Sequence, residues 1–273
     1  MDTALDSHNR AQAFSLRLTN AQYHAREELS NSGNNILIDE SPMHFKYYKD
    51  NPPKRTPAMI TGEIVHLLVL EPDLFLENAV VMPDCDRRTT AGKNFYEQFM
   101  IENSNKQILT SELYHQAFGM IGSIMEHPTA RALLQNNHNE LSFFTEIDGV
   151  KVRARPDILR EGRIICDLKT TDDASFHGFQ KTIARFHYAR QAAFYSDVVA
   201  SVTGERYDSF TFLACEKHPP YAVQVFTLDE ASMDKGREEY RAGLAIYRKC
   251  LENNEWPGYS LEAVPMNLPS FAW

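Results

Sequence analysis

Two aspartates and a lysine lie close together in the middle of the chain, in Arg-Pro-Asp (155–157) and Asp-Leu-Lys (167–169). Carboxylates spaced in this way can bind a divalent cation, and a lysine beside them can contact the water that attacks phosphorus. In a strand, Asp167 and Lys169 are two positions apart and therefore point to the same face. This is the chemistry of a metal-dependent phosphodiesterase.

The turn between the two predicted strands decides whether Asp157 joins that face. A two-residue loop at 161–162 places Asp157 opposite Cys166, whereas a three-residue loop at 161–163 places it opposite Asp167. We favour the longer loop, or an equivalent bulge with a left-handed residue, because only that register lets both carboxylates share one cation.

An apolar run at 164–166 leads directly into Asp167 and indicates a buried strand that ends in a charge. Burying a carboxylate without a partner costs several kcal/mol of folding free energy, so a metal or another cation is expected beside it. The alternative is a surface hairpin that carries Asp and Lys without any catalytic role.

Two further motifs resemble the RecB-like branch of the PD-(D/E)xK nuclease superfamily. Gly62-x-x-x-His66 resembles the helix that opens the core of that group, and Gln191-x-x-x-Tyr195 resembles its Gln-x-x-x-Tyr helix. The order of these motifs around the two aspartates is the order used by the group. The resemblance implies an α/β fold with a restriction-endonuclease-like core, in which helices flank a mixed central sheet and a helical N-terminal part is added.

A narrower resemblance, to the C-terminal nuclease domain of the exonuclease VIII (RecE-type) family, covers most of the chain. It is carried by short motifs: Tyr23-His24, Ser30, Ser41-Pro42, Tyr47-Tyr48, Leu70-Glu71-Pro72 and Trp256-Pro257-Gly258. It implies a Mg²⁺-dependent, processive 5′→3′ exodeoxyribonuclease that degrades linear double-stranded DNA and leaves single strands for recombination. It also implies a homotetramer and a single-strand annealing protein as partner.

The superfamily resemblance assigns roles to the site residues. The catalytic residues would be Asp157, Asp167 and Lys169. The metal ligands would be His66, Asp157, Asp167 and the backbone carbonyl of Leu168, with Mg²⁺ bound and Mn²⁺ able to replace it. His66 lies on an apolar helix, where a core packing role is the alternative.

Other residues are expected to contact DNA or to support the catalytic strands. They are Gln191 and Tyr195, which share a helix face, together with Arg153 and Arg155. Glu146, before the predicted Asp148-Gly149 turn, is an additional acidic candidate near the metals, and an exposed strand carboxylate is the alternative for it.

Composition predicts one α/β domain over 1–273, since 43% of the 273 residues are hydrophobic. We divide it into a helical part (about 1–135), a catalytic core (about 136–255) and an irregular tail (256–273). No apolar run is long enough for a membrane helix, no secretory signal is visible at the N-terminus, and four widely spaced cysteines are typical of reduced thiols. A cytoplasmic protein is therefore expected.

The net charge of −9 argues against a protein that coats nucleic acid. Basic residues concentrate in the predicted hairpin and in the helix that follows it, however, which favours a local basic channel. They are Arg153, Arg155, Arg160, Arg163, Lys169, Lys181, Arg185 and Arg190.

Periodicity and turn residues predict the elements around the site. Strands are expected at 141–147, 150–159, 163–170, 209–215 and 222–227. Helices are expected at 21–29, from Ser41-Pro42 to about 50, from about Thr61 to Leu70, and at 111–126, 128–135, 176–202 and 228–251. Positions 30–35 and 84–94 are expected to be irregular.

Two other functions remain open from the sequence. One is a RecB-like endonuclease or end-processing nuclease, for which cleavage of a closed circle is the distinguishing observation. The other is a non-catalytic module that binds DNA ends, against which the presence of Asp157, Asp167 and Lys169 argues.

Overall fold

A computed structural model describes residues 15–160, 162–207 and 209–268 of the protein. The strands are β1 (Ala79–Val81), β2 (Gln107–Leu109), β3 (Asn137–Asn139), β4 (Phe143–Ile147), β5 (Val150–Ala154), β6 (Ile158–Arg160), β7 (Ile164–Thr171), β8 (Ser209–Glu216) and β9 (Val223–Thr227). The helices are α1 (Asn20–His24), α2 (Asn31–Asp39), α3 (Pro42–Asp50), α4 (Pro57–Leu70), α5 (Phe75–Asn78), α6 (Thr90–Glu102), α7 (Ser111–Glu126), α8 (Pro128–Leu133), α9 (Phe176–Arg185), α10 (Tyr188–Thr203) and α11 (Glu230–Asn253). Among the described residues, none of the helices combines the length and the apolar character needed to cross a membrane.

The central sheet has the strand order β3-β6-β7-β8-β9, in which β7 and β8 are parallel and the other neighbours are antiparallel. Alternate side chains of β7 enter two different cores. Ile165 packs with α10, α11 and the β4–β5 hairpin, whereas Cys166 and Leu168 pack with α4, α7 and α8. The prediction of a mixed central sheet flanked by helices is confirmed.

The register of the β6–β7 hairpin is the one that the longer loop requires. Ile158 pairs with Cys166 and Arg160 pairs with Ile164. Gly162 and Arg163 both have positive φ values, 82° and 60°. The expected alignment of Asp157 with Asp167 is therefore confirmed at the level of the backbone.

Two predicted elements are broken in the structure. The strand expected at 150–159 is two strands, because Pro156 has no N–H to donate and β5 ends before it. The helix expected at 176–202 is two helices, because His187 adopts a left-handed conformation (φ 54°) between α9 and α10. Both breaks lie beside residues of the candidate site.

Some helix boundaries were also predicted wrongly. Positions 30–35 and 84–94 were expected to be irregular. Ser30 instead caps α2 by accepting from the Gly33 N–H, and 84–89 are irregular as predicted, but Thr89 caps α6, which includes 90–94. Helix α4 begins at Pro57 rather than near Thr61, and α1 ends at His24. Capping of a helix by one hydroxyl outweighed the turn-like composition at both misjudged segments.

Residues 15–30, here called the N-terminal strap, lie across the β4–β5 hairpin. Leu16 forms an antiparallel bridge with Ser142, and Leu29 forms a parallel bridge with Val152. Between these bridges Tyr23 is buried, with the guanidinium of Arg155 4.2 Å from its ring centroid. The strap is thereby anchored at both ends and in its middle.

Candidate active site

His66 reaches from α4 to the backbone of β7. Its Nε2 lies 2.7 Å from the carbonyl oxygen of Leu168, and its Nδ1 lies 3.5 Å from Oδ2 of Asp157. If Nε2 carries the hydrogen and donates it to the Leu168 carbonyl, Nδ1 presents a lone pair to a carboxylate oxygen of Asp157. Two electron pairs directed at each other are stabilised by a cation that binds both, so this pair fits a metal ion.

The Asp157 carboxylate also contacts β7. Its Oδ2 accepts a hydrogen bond of 2.7 Å from the Leu168 N–H, and the residue is 8% exposed. Leu168 thus contacts Asp157 through its N–H and His66 through its carbonyl, and its own side chain is in the core. Backbone contacts of this kind fix the aspartate and the histidine relative to the strand.

Glu140 is an acidic residue of this site that the sequence reasoning missed. Its carboxylate lies near His66 and Asp157: one ligand atom from each residue falls within 4.8 Å of the others. We call these three residues the carboxylate–histidine cluster. The Glu140 N–H donates to the Asp157 carbonyl (3.1 Å), so backbone contacts bring the two acids together.

Burial and the neighbouring Asp157 raise the pKa of Glu140 to about 8, an effect that Arg155 partly opposes. The guanidinium Nε of Arg155 lies 3.1 Å from Glu140 Oε2. A sequence signal for Glu140 did exist, because it directly precedes the apolar segment that begins at Leu141, as Asp167 directly follows one. Its left-handed backbone conformation (φ 54°) was not readable from the residue type.

Asp167, Lys169 and Gln191 form a closed set of contacts, here called the lysine triad. Oδ2 of Asp167 is 2.6 Å from Nζ of Lys169, and Oδ1 accepts from the Gln191 amide (2.8 Å). Lys169 in turn donates to the Gln191 carbonyl oxygen at 3.0 Å. Gln191 therefore orients the Asp167 carboxylate and the Lys169 ammonium group together.

Asp167 is almost completely buried, with 1% of its surface exposed. Burial and the nearby Asp157 raise the pKa of Asp167 to about 6, although Lys169 opposes the shift. Within the described residues, its Oδ2 has no hydrogen-bond partner in addition to the ion pair with Lys169. A buried carboxylate oxygen with spare acceptor capacity is a suitable metal ligand.

Two tyrosines border the lysine triad. The ring centroid of Tyr188 is 4.4 Å from Nζ of Lys169. Burial lowers the pKa of Lys169, but Asp167, Tyr188 and Asp157 together outweigh it, and the pKa is raised. Tyr195 packs against the core, where burial raises the pKa of its hydroxyl well above the usual value while a hydrogen bond from Gln191 lowers it.

The remaining predicted residues have different surroundings. Arg153 is 8% exposed and donates to the Arg26 carbonyl, so its guanidinium holds the strap and is not presented to a ligand. Arg155 lies beside the carboxylate–histidine cluster, where it pairs with Glu140 and donates to the Leu18 carbonyl.

Glu146 is not part of the cluster. It is exposed on β4 opposite Lys151 and lines a separate cleft with Asp197 and Arg241. The acid that joins the site, Glu140, precedes β4, whereas Glu146 lies within β4.

The donor atoms of the two groups fit a hard divalent cation. Carboxylate oxygens and a backbone carbonyl are the ligand types that such ions take from proteins, and one neutral imidazole nitrogen can complete a site otherwise made of oxygens. The pKa values of Glu140 and Asp167 are raised first by burial and then by the neighbouring Asp157, and a bound cation would offset both costs.

Comparison with known proteins gives a consistent picture of the fold. The family model described as a PDDEXK-like domain of unknown function (DUF3799) matches residues 37–265. No curated protein sequence matches the chain. The crystal structure of a "putative exonuclease" from Eubacterium rectale is 16% identical in sequence, with a TM-score of 0.63 over 94% of this chain and 97% of that one.

A phage-related exonuclease from Haemophilus somnus aligns with 14% identity and a TM-score of 0.38, over 84% of this chain and 96% of that one. At these identities the Eubacterium rectale structure supports the fold alone.

Proposed function

The chain belongs to the PDDEXK-like domain family DUF3799, and on that basis we propose that it is a metal-dependent deoxyribonuclease. The observation that carries the proposal is the convergence of His66, Asp157, Asp167 and Lys169, which come from α4, the β5–β6 segment and β7, at one place in the fold. Acids that repel one another next to an anchored lysine are expected in a phosphodiesterase and are costly elsewhere.

Each residue then has a defined part in DNA hydrolysis. His66, Asp157, Asp167 and the Leu168 carbonyl, joined by Glu140, would hold one or two Mg²⁺ ions. When bound, the metal supplies polarisation of the scissile phosphate and a water of lowered pKa. Lys169 orients the attacking water through Nζ and stabilises the negative charge that develops on the phosphate oxygens. Gln191 holds Lys169 Nζ and the Asp167 carboxylate in contact through one hydrogen bond to each.

The finer assignment follows from the resemblance to the RecE type. We propose an exonuclease that starts at the ends of linear double-stranded DNA and proceeds 5′→3′, and that acts as a homotetramer with a single-strand annealing partner. A RecB-like endonuclease is the second candidate, and a non-catalytic end-binding module is the third. The raised pKa values of Glu140 and Asp167 favour the enzymes, since a binding module gains nothing from them.

The test is digestion of a linear duplex labelled separately at its 5′ and 3′ ends, beside a closed circle, with Mg²⁺, Mn²⁺ or EDTA. We expect early release of the 5′ label, an intact circle and no reaction in EDTA. Cleavage of the circle would favour the endonuclease. A parent that leaves every substrate intact with both metals would contradict the proposal.

Asp167→Asn supplies the matched variant for the site. It should abolish cleavage and leave DNA binding nearly unchanged, because the substitution removes one metal-binding charge and keeps the shape of the side chain. Equal turnover by this variant and the parent would refute the assignment of Asp167.

A further inference from the structure

An aromatic ladder runs from the lysine triad to the protein surface. The Tyr188 ring covers Nζ of Lys169 at 4.4 Å, and the Phe186 ring stacks on Tyr188 with centroids 5.8 Å apart and an interplanar angle of 23°. Phe186 is 50% exposed. The ladder therefore ends in a flat apolar face that is open to solvent close to the candidate catalytic lysine.

The backbone between the two rings is built for this arrangement. His187 has φ 54° and ψ 41°, a left-handed conformation that non-glycine residues rarely adopt. Its Nε2 lies 3.5 Å from Oδ2 of Asp39, a contact that anchors the break between α9 and α10. An unbroken helix would set residues 186 and 188 about 200° apart around its axis, so the break permits the rings to stack.

Helix α9, which leads to Phe186, carries a basic exposed face. His177, Lys181 and Arg185 follow one another at intervals of four residues, and the segment 176–187 contains no acidic residue. The Arg185 guanidinium lies 5.2 Å from the Phe186 ring centroid. Lys181 and Arg185 form no salt bridge with any described residue. The pKa of Asp173, near the start of the helix, is lowered mainly by hydrogen bonds from Ser175 and to a smaller extent by Lys181.

The spacing of Lys181 and Arg185 fits a nucleic-acid backbone. Four residues of helix correspond to a rise of about 6 Å, which is close to the separation of neighbouring phosphates along one strand. A stripe of this spacing that ends in an exposed ring offers a charged track for phosphates and a face for a base, the combination used to bind single strands.

We propose that α9 binds one DNA strand next to the scissile phosphate, with Lys181 and Arg185 contacting successive phosphates and Phe186 stacking on an unpaired base. This inference rests on the proposed nuclease function. The base must be unpaired or terminal, because within a duplex both faces of a base are covered by its neighbours. The site is therefore specific for a frayed end or an overhang.

The test is equilibrium binding in EDTA, where no cleavage occurs, of a fluorescent duplex with a single-stranded overhang and of a blunt duplex. Phe186→Leu, which keeps apolar bulk but lacks a π face, should bind the overhang roughly 5- to 100-fold more weakly. Phe186→Trp should bind it like the parent. A 2-aminopurine in the overhang should be quenched by the parent and by Phe186→Trp, and not by Phe186→Leu.

The basic face is tested by Lys181→Glu with Arg185→Glu. The control is Lys49→Glu with Lys249→Glu, on α3 and α11, which changes the net charge by the same four units. The first pair should lower the slope of log affinity against log salt by about 1.4, the value for two single-strand phosphates. The control pair should leave the slope unchanged.

Equal overhang binding by Phe186→Leu and the parent, or equal losses in the two charge-reversal pairs, would overturn this inference. Failure of the proposed function has another signature. A parent that binds overhangs through Phe186 and never cleaves DNA with any metal would keep the strand site and refute the nuclease.

Discussion

Replacing Asp167 by asparagine should stabilise the metal-free protein while removing its response to metal. In the folded state burial raises the pKa of Asp167 from 3.8 to about 6. The folded protein therefore holds a proton more tightly than the unfolded chain, and its stability falls as pH rises from about 4 to about 6. Above that range the ionised carboxylate opposes folding.

The magnitude follows from the size of this shift. A rise of about 2.2 pKa units corresponds to about 3 kcal/mol at 1.36 kcal/mol per unit. This shift already includes the attraction of Lys169 for the ionised carboxylate. An uncharged asparagine of the same shape avoids the cost and can still accept from the Gln191 amide. We therefore expect Asp167→Asn to raise the free energy of unfolding by about 3 kcal/mol at pH 8 in EDTA, and by almost nothing at pH 4.

Urea unfolding at both pH values, with EDTA or with Mg²⁺, measures these terms. Mg²⁺ should stabilise the parent by an amount that grows with the logarithm of its concentration, and it should leave the variant nearly unchanged. The reasoning would be refuted by a variant that is less stable than the parent at pH 8 in EDTA, or by equal stabilisation of both proteins by Mg²⁺.

Three further predictions concern Glu140, Tyr188 and Gly236. Glu140→Gln should weaken Mn²⁺ binding, measured by calorimetry, by roughly tenfold or more, whereas Glu146→Gln should not change it. Weaker binding by Glu146→Gln together with unchanged binding by Glu140→Gln would assign the metal ligand to Glu146 instead. Tyr188→Leu should lower kcat about 5- to 30-fold through loss of the cation–π contact, and Tyr188→Phe should retain kcat; equal losses would exclude the ring face as the cause. Gly236→Ala should lower the free energy of unfolding by roughly 1–3 kcal/mol or more, since its Cβ would lie 2.1 Å from a backbone oxygen of α10. The exposed control Gly122→Ala has no neighbour within 4 Å and should stabilise by about 0.5–1 kcal/mol; loss of stability in both would assign the effect to the helices themselves.

The parts of the site that lie on one strand or one helix could be predicted from spacing. Asp167 and Lys169 share a face because strands alternate, and both contact the same residue, Gln191. The alignment of Asp157 followed from counting loop residues against the need to share a cation. These inferences depended on local geometry, which residue spacing determines.

The parts that depend on tertiary contacts could not be predicted. Glu140 joins the cluster through a left-handed backbone and a hydrogen bond to the Asp157 carbonyl, and neither is encoded in a motif. Arg153 was expected to contact DNA or to support the catalytic strands, and its contact with the strap could not be foreseen. Arg190, counted in the basic channel, is 3% exposed and is enclosed by Asp39 and Glu239. Charge in the sequence does not reveal whether a partner neutralises it.

The strap also sets an order of assembly. Leu16 pairs with Ser142, and Arg155 donates to the Leu18 carbonyl. This part of the strap is therefore synthesised more than a hundred residues before the residues that it contacts. Contacts that close such long loops form late because their entropic cost must be met by structure already present. The guanidinium that pairs with Glu140 is packed against Tyr23 of that same strap. We therefore expect the carboxylate–histidine cluster to reach its final geometry only after the sheet has formed.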